Sequence, residues 1–66
     1  MQTHVITYYT DGNDVIGTRS VYNLDDTRAK ELFDEITQWA TVLFPDCVSM
    51  RLENILDGEI IQTWSE

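Results

Sequence analysis

Cysteine, histidine and proline occur once each in this chain of 66 residues, glycine three times, and four Lys and Arg residues stand against twelve Asp and Glu. Each scarcity excludes something. A single thiol, Cys47, closes no disulfide within the chain, and Cys47 with His4 falls short of the ligand set of a structural zinc site. There is no Cys-x-x-Cys pair, zincin motif, glycine-rich phosphate cradle or dinucleotide fingerprint, so no metal or cofactor is expected. Arg19, Arg28, Lys30 and Arg51 are scattered, and the formal charge of -8 repels nucleic acid phosphate and anionic membrane alike, which argues against direct binding to either. No segment approaches the length of about 18 apolar residues needed to cross a bilayer, and Met1 to Val5 has no basic region leading into an apolar stretch. The expectation is a cytoplasmic protein encoded by a complete small reading frame.

What is present is enough to fold. Hydrophobic residues make up 42% of the chain and charged residues only 24%, which is not the composition of a disordered acidic tail. At this length a compact fold buries about 60% of the surface of its unfolded chain, leaving room for one core and one domain, residues 1–66. Small domains lean on disulfides, a metal or oligomerisation. With the first two missing, a homodimer is the remaining support.

Residues 4–10 and 15–22 are rich in β-branched and aromatic types and read as strands. The segment Asp11-Gly12-Asn13-Asp14 between them reads as a hairpin turn, because Gly and Asn accept positive φ at little cost. Gly17 marks a candidate bulge. Asn23-Leu24-Asp25-Asp26 supplies a capping oxygen and two carboxylates for the positive end of a helix. Ala29, Leu32, Phe33, Ile36, Ala40, Leu43 and Phe44 then recur at helical spacing, predicting one helix over 24–43, about 30 Å long, ended by Pro45. Val48, Met50 and Leu52 alternate with Ser49, Arg51 and Glu53 as in a half-buried strand. Asp57-Gly58 signals a two-residue hairpin, and residues 59–64 form the returning strand. The predicted class is α+β: a two-layer ββαββ domain with a four-stranded, mainly antiparallel sheet and one amphipathic helix packed across it.

That order resembles the β-grasp outline of ubiquitin-like and immunoglobulin-binding bacterial domains. The resemblance implies strand order 2-1-4-3, and an all-antiparallel 2-1-3-4 sheet fits the same pattern. Ubiquitin-like modifiers end in Gly-Gly, whereas residues 63–66 read Thr-Trp-Ser-Glu, so conjugation is not expected.

Catalytic candidates are few. Cys47 and His4 would need a third group and a shared site; Cys47 beside Val48 reads instead as a small buried thiol, and His4 as an exposed or edge residue of the first strand. The pairs Asp11/Asp14, Asp25/Asp26, Asp34/Glu35 and Asp57/Glu59 fall in turns, at the helix start or on its polar face, not in a desolvated pocket. The Asp11 to Asp14 segment lacks the remaining oxygen ligands of a calcium loop. Arg28 with Glu31, and Lys30 with Asp26 or Asp34, suit pairs on the helix surface. Among the aromatics, Tyr8 and Tyr9 must face opposite sides of the sheet, Trp39 is expected to fill the core, and Trp64 suits core and surface equally. The chain is not expected to be an enzyme.

Charge location carries more information than the sum. Residues 1–23 hold two acids and one base, 24–43 five acids and two bases, and 45–66 five acids and one base. The negative field therefore comes mainly from the helix and the C-terminal hairpin. A rigid acidic surface attracts basic protein surfaces and imitates a run of phosphates. The expected function is a binding module that occupies a basic surface of a partner, such as a nucleic-acid-binding protein, and inhibits it. Glu31, Asp34 and Glu35 on the helix and Glu53, Asp57 and Glu59 on the hairpin are the expected contacts. In size and acidity the chain resembles small phage-encoded inhibitors, among them anti-CRISPR proteins and host polymerase inhibitors. The alternative is a structural or accessory homo-oligomer whose charge serves solubility and whose exposed aromatics form the contact.

Overall fold

A computed structural model describes residues 1–66. The elements are β1 (Gln2–Tyr9), β2 (Val15–Tyr22), α1 (Asp26–Thr37), the single turn α2 (Ala40–Leu43), β3 (Ser49–Asn54) and β4 (Glu59–Ser65). The strands form one sheet in the order β2-β1-β3-β4, every pair antiparallel. The predicted α+β class and two layers are found. Of the two strand orders the pattern allowed, the fold takes 2-1-3-4; the β-grasp order, with β4 beside β1, is not formed.

Period-two alternation assigns the faces of the sheet. His4, Ile6 and Tyr8 of β1 point to the helix side, as do Met50 and Leu52 of β3, and α1 adds Ala29, Phe33 and Ile36 from above. Ile6, Ala29, Phe33 and Leu52 are fully buried in this core. The other face carries Val5, Thr7, Tyr9, Thr18, Ser20, Ser49, Arg51, Glu53 and Thr63, and no helix covers it.

The β1–β2 connection is the expected turn, with positive φ at Asn13. The extra residue in β2 lies at Ile16, next to Gly17, where the register slips between Tyr8 and Tyr9. A Cβ on Gly17 would touch the Phe44 ring at 3.5 Å, and that ring packs on Tyr8 with centroids 4.7 Å apart.

Helix α1 starts at Asp26, two residues later than expected: Asn23 stands outside it at φ +56°, and the Asp25 carboxylate is the cap, accepting from the Arg28 N–H at 2.8 Å. Its end corrects the expectation of one helix to residue 43. At Gln38 and Trp39 the N–H groups turn to carbonyls three residues back, Glu35 and Ile36, and Trp39 leaves helical geometry at φ -113°, ψ 3°. The cause is local. Thr37 bonds back to the Asp34 carbonyl at 2.7 Å, and Trp39, Thr41 and Val42 lose rotamer freedom in a helix. As a result Trp39 is 57% exposed, where core packing was expected.

The β3–β4 connection is also longer than the two-residue turn that Asp57-Gly58 suggested. Residues 55–58 wind over the Asn54 side chain, whose Oδ1 accepts from the N–H of Leu56 at 2.8 Å, while the Gly58 N–H reaches the Asn54 carbonyl at 2.8 Å. Gly58 closes the loop at φ +76°, with no atom within 4 Å of where a Cβ would stand. Gly58→Ala therefore meets no clash and should cost only the left-handed backbone penalty, about 1 kcal/mol in urea denaturation; a loss several times larger would mean that the loop does more than turn the chain.

Candidate functional site

The one histidine is not the exposed or edge residue its place in the sequence suggested. His4 lies in an inner strand, is 1% exposed, and has a partner for each ring nitrogen. Nε2 is 2.8 Å from Asp26 Oδ1 and Nδ1 is 2.8 Å from Thr3 Oγ1. An ionised carboxylate only accepts, so the Nε2 proton points at Asp26. Asn54 Nδ2 donates to the same carboxylate oxygen at 3.0 Å. This clasp ties β1, the first residue of α1 and the end of β3 together. The hydrogen bonds from His4 and Asn54 hold the Asp26 carboxyl below its ordinary 3.8, helped by the Lys30 charge.

A hydroxyl, an imidazole and a carboxylate in a row are also the ingredients of a nucleophilic triad. Neither of the two surface grooves is lined by Thr3, His4 or Asp26; the imidazole is enclosed by the fold, and Asp26 is the half-exposed end of the row. Cys47 is fully buried, its Sγ donating to the Ser49 carbonyl at 3.3 Å. It adjoins Val48, which bonds to Tyr9 at the far end of β1 from His4. No cluster of three or more His, Cys, Asp or Glu is arranged to hold a metal ion. No helix is long and apolar enough to cross a membrane.

The carboxylates singled out in the sequence divide into three places. Asp34 leans to the β4 side of α1, where Gln62 Nε2 donates to it at 2.7 Å. Glu59 pairs with Asn54 and so shares the helix side of the sheet, next to Asp57, whose Oδ1 accepts from the Glu59 N–H at 2.9 Å. Glu31 is exposed one helical turn before Asp34. Asp34, Asp57 and Glu59 form an acidic flank along α1 and β4, and Glu31 stands beside it on the solvent-facing crest of the helix. Glu35 lies on the opposite flank of α1, in a groove with Arg19, Leu32 and Trp39. Glu53 does not join either group: it stands opposite Val5 and Ile60 on the uncovered face, its Oε1 2.9 Å from Arg51 Nε. The Arg51 N–H is not directed at that oxygen, since the buried Nε makes no hydrogen bond; the guanidinium instead lies over the Tyr9 ring at 5.3 Å.

The uncovered sheet face thus has one charge of each sign. The remaining eleven acids and three bases, 12 minus 1 and 4 minus 1, place the whole net charge of -8 on the helix side and in the loops. Arg51–Glu53 is the one Arg or Lys pair with a carboxylate within 4 Å, and His4 and Asp26 are joined by a hydrogen bond. The pairs expected from Arg28 to Glu31 and from Lys30 to Asp26 or Asp34 do not form, so Glu31, Asp34, Asp57 and Glu59 have no cationic partner.

The chain matches no protein-family model, no curated protein and no solved structure. What the surface does must be argued from its chemistry.

Sequence reasoning missed three residues here: His4, Asn54 and Gln62. The signal for His4 was its parity, since positions 4, 6 and 8 share a face with Ile6 and Tyr8. Truncating it empties a buried site and leaves Asp26 and Thr3 without their shared partner, so His4→Ala should lose about 2–4 kcal/mol in urea denaturation. Asp26 adds a pH dependence of known sign. Its folded pKa is below 3.8, so its contribution is present above that value and fades as pH falls through the folded value. Asp26→Asn should flatten the fall in stability below pH 3.8; an unchanged acid profile would remove the clasp as its source.

Proposed function

We propose that the protein is a binding module that lays the acidic flank of α1 and β4 against a basic surface of another protein, of the kind that holds nucleic acid, and blocks it. The observation that carries this reading is that Glu31, Asp34, Asp57 and Glu59 are exposed and without cationic partners, while the opposite sheet face is charge-balanced. Carboxylates left unpaired on a folded protein repel one another and are relieved when a cationic surface arrives. Two details support preorganisation. Gln62 steadies Asp34, and the backbone of Glu59 steadies Asp57, so these groups lose little freedom on docking.

Such a module gains association rate from its field and specificity from the spacing of its charges. It competes with nucleic acid because both present anionic groups to the same cations, and it is an inhibitor to the extent that it wins. Lys30, on the same flank, marks where a partner's own acid or a gap between its cations would fit.

The test uses the immobilised protein and the nucleic-acid-binding proteins of a cell lysate. Bound partners should elute as salt rises and be displaced by duplex DNA or by RNA. The triple variant Asp34→Lys, Asp57→Lys, Glu59→Lys should weaken capture by about tenfold or more, because a rim of like charges opposes docking. Glu53→Lys, on the far face, should leave capture unchanged. Retention insensitive to salt, or equal loss from the Glu53 variant, would refute the acidic flank as the binding surface.

A further inference from the structure

Three of the nine exposed large apolar side chains gather in one place beside the C-terminal end of α1. Trp39, Val42 and Leu43 are 57%, 69% and 56% exposed. With Leu32 they line a groove of about 320 Å³ between the C-terminal half of α1, α2 and the edge strand β2. Clustered apolar exposure of this kind marks an interaction site on a folded domain, whereas single exposed residues do not. The helix break at Gln38 and Trp39 creates it, because it leaves the indole beside the core instead of in it.

The charged lining says what fits. Arg19 and Glu35 line the same groove, yet neither forms an ion pair within the chain. A uniformly basic partner would meet Arg19, and a uniformly acidic one would meet Glu35. A surface that satisfies both must carry an acid and a base on an apolar ground, which is what this groove offers to another copy of itself. In a twofold contact residue i of one copy meets residue j of the other, and j meets i, so a groove with one unpaired charge of each sign is self-complementary.

We infer that this groove is the interface of a twofold homodimer, with the Trp39, Val42 and Leu43 surface of each copy seated on the other and Arg19 of each copy paired with Glu35 of its mate. Two further observations point the same way. Only 12 of 66 residues are buried in the single chain, a thin core for which association is a usual support. The acids tied to β4 do not line the groove: Asp34, Asp57 and Glu59 are on the other flank of α1, where salt at physiological ionic strength weakens their repulsion of a second copy. A dimer built this way leaves both acidic flanks outward, so the inference stands independently of the proposed partner.

Analytical ultracentrifugation over a range of concentrations, with circular dichroism to confirm folding, tests it. The unmodified chain should sediment as a dimer in reversible equilibrium with monomer. Trp39→Ala removes a surface aromatic and should weaken the dimer by about tenfold or more. Arg19→Glu alone sets Glu against Glu35 across the twofold, and Glu35→Arg alone sets Arg against Arg19, so each should sediment as monomer. An equimolar mixture of those two variants places opposite charges at both contacts and should restore the dimer. A chain monomeric at every concentration, a dimer indifferent to these substitutions, or a mixture that stays monomeric would each overturn the interface.

Discussion

A buried imidazole cannot be left without partners, and much of this fold is the consequence of providing them. His4 lies in β1, one of the two inner strands, under the helix layer, where an unsatisfied ring nitrogen would cost about 1–3 kcal/mol. Thr3 answers one nitrogen from the same strand. The other is answered by Asp26, the first residue of α1, which fixes where the helix begins above the sheet. Once that end is set, the helical repeat carries Ala29, Phe33 and Ile36 down over Ile6, Met50 and Leu52, and leaves Asp34 within reach of Gln62. Asn54 completes the arrangement with two roles. Its amide nitrogen joins the clasp and its amide oxygen organises the 55–58 loop, so the acidic end of the hairpin is anchored to the same point as the helix.

Most of the architecture was legible because it follows from local rules. Alternation in residues 48–53, the helix-start residues Asn23 to Asp26 and the turn around Asn13 each act within a few positions, and the elements they predict begin within one or two residues of expectation. What escaped was decided by competition. Helical spacing continues through Trp39 to Leu43, but spacing describes which face is apolar and not whether the backbone prefers to stay helical; Thr37 and its neighbours tip that balance. Asp57-Gly58 is a strong turn signal, and it lost to the Asn54 side chain, which drew the preceding backbone into its own hydrogen bonds. His4 was read by residue type when its strand parity was the better guide. The candidate surface was half legible for a related reason. Net charge by segment pointed to the helix and the C-terminal hairpin, yet the alternation that buries Met50 and Leu52 also sends Glu53 to the other face, a step the charge count ignores.

The helix therefore separates two surfaces of different character. Its β4 flank is acidic with Lys30 as the nearby cation, and its β2 flank holds an apolar groove lined by one charge of each sign. The β2 flank reaches the core through Ile36 and Leu32, whereas the carboxylates of the β4 flank are exposed. The uncovered sheet face, rich in hydroxyls and carrying the Arg51–Glu53 pair, is electrostatically quiet and gives the acidic side its directionality.

The β1–β3 pairing also sets a timetable for the growing chain. Ser49 lies 40 positions beyond Tyr9, and Asn54 lies 50 beyond His4, so the central ladder of the sheet cannot form until nearly the whole of it has been translated. Until then β1 has a bare edge, His4 lacks Asn54, and a lone hairpin with a helix is marginal in water. At roughly 5–20 residues per second this interval lasts a few seconds, during which neighbouring nascent chains on one message could pair edge to edge. The eight acids and three bases that precede Ser49 give those unfinished chains a net charge of -5, 8 minus 3, which opposes such pairing.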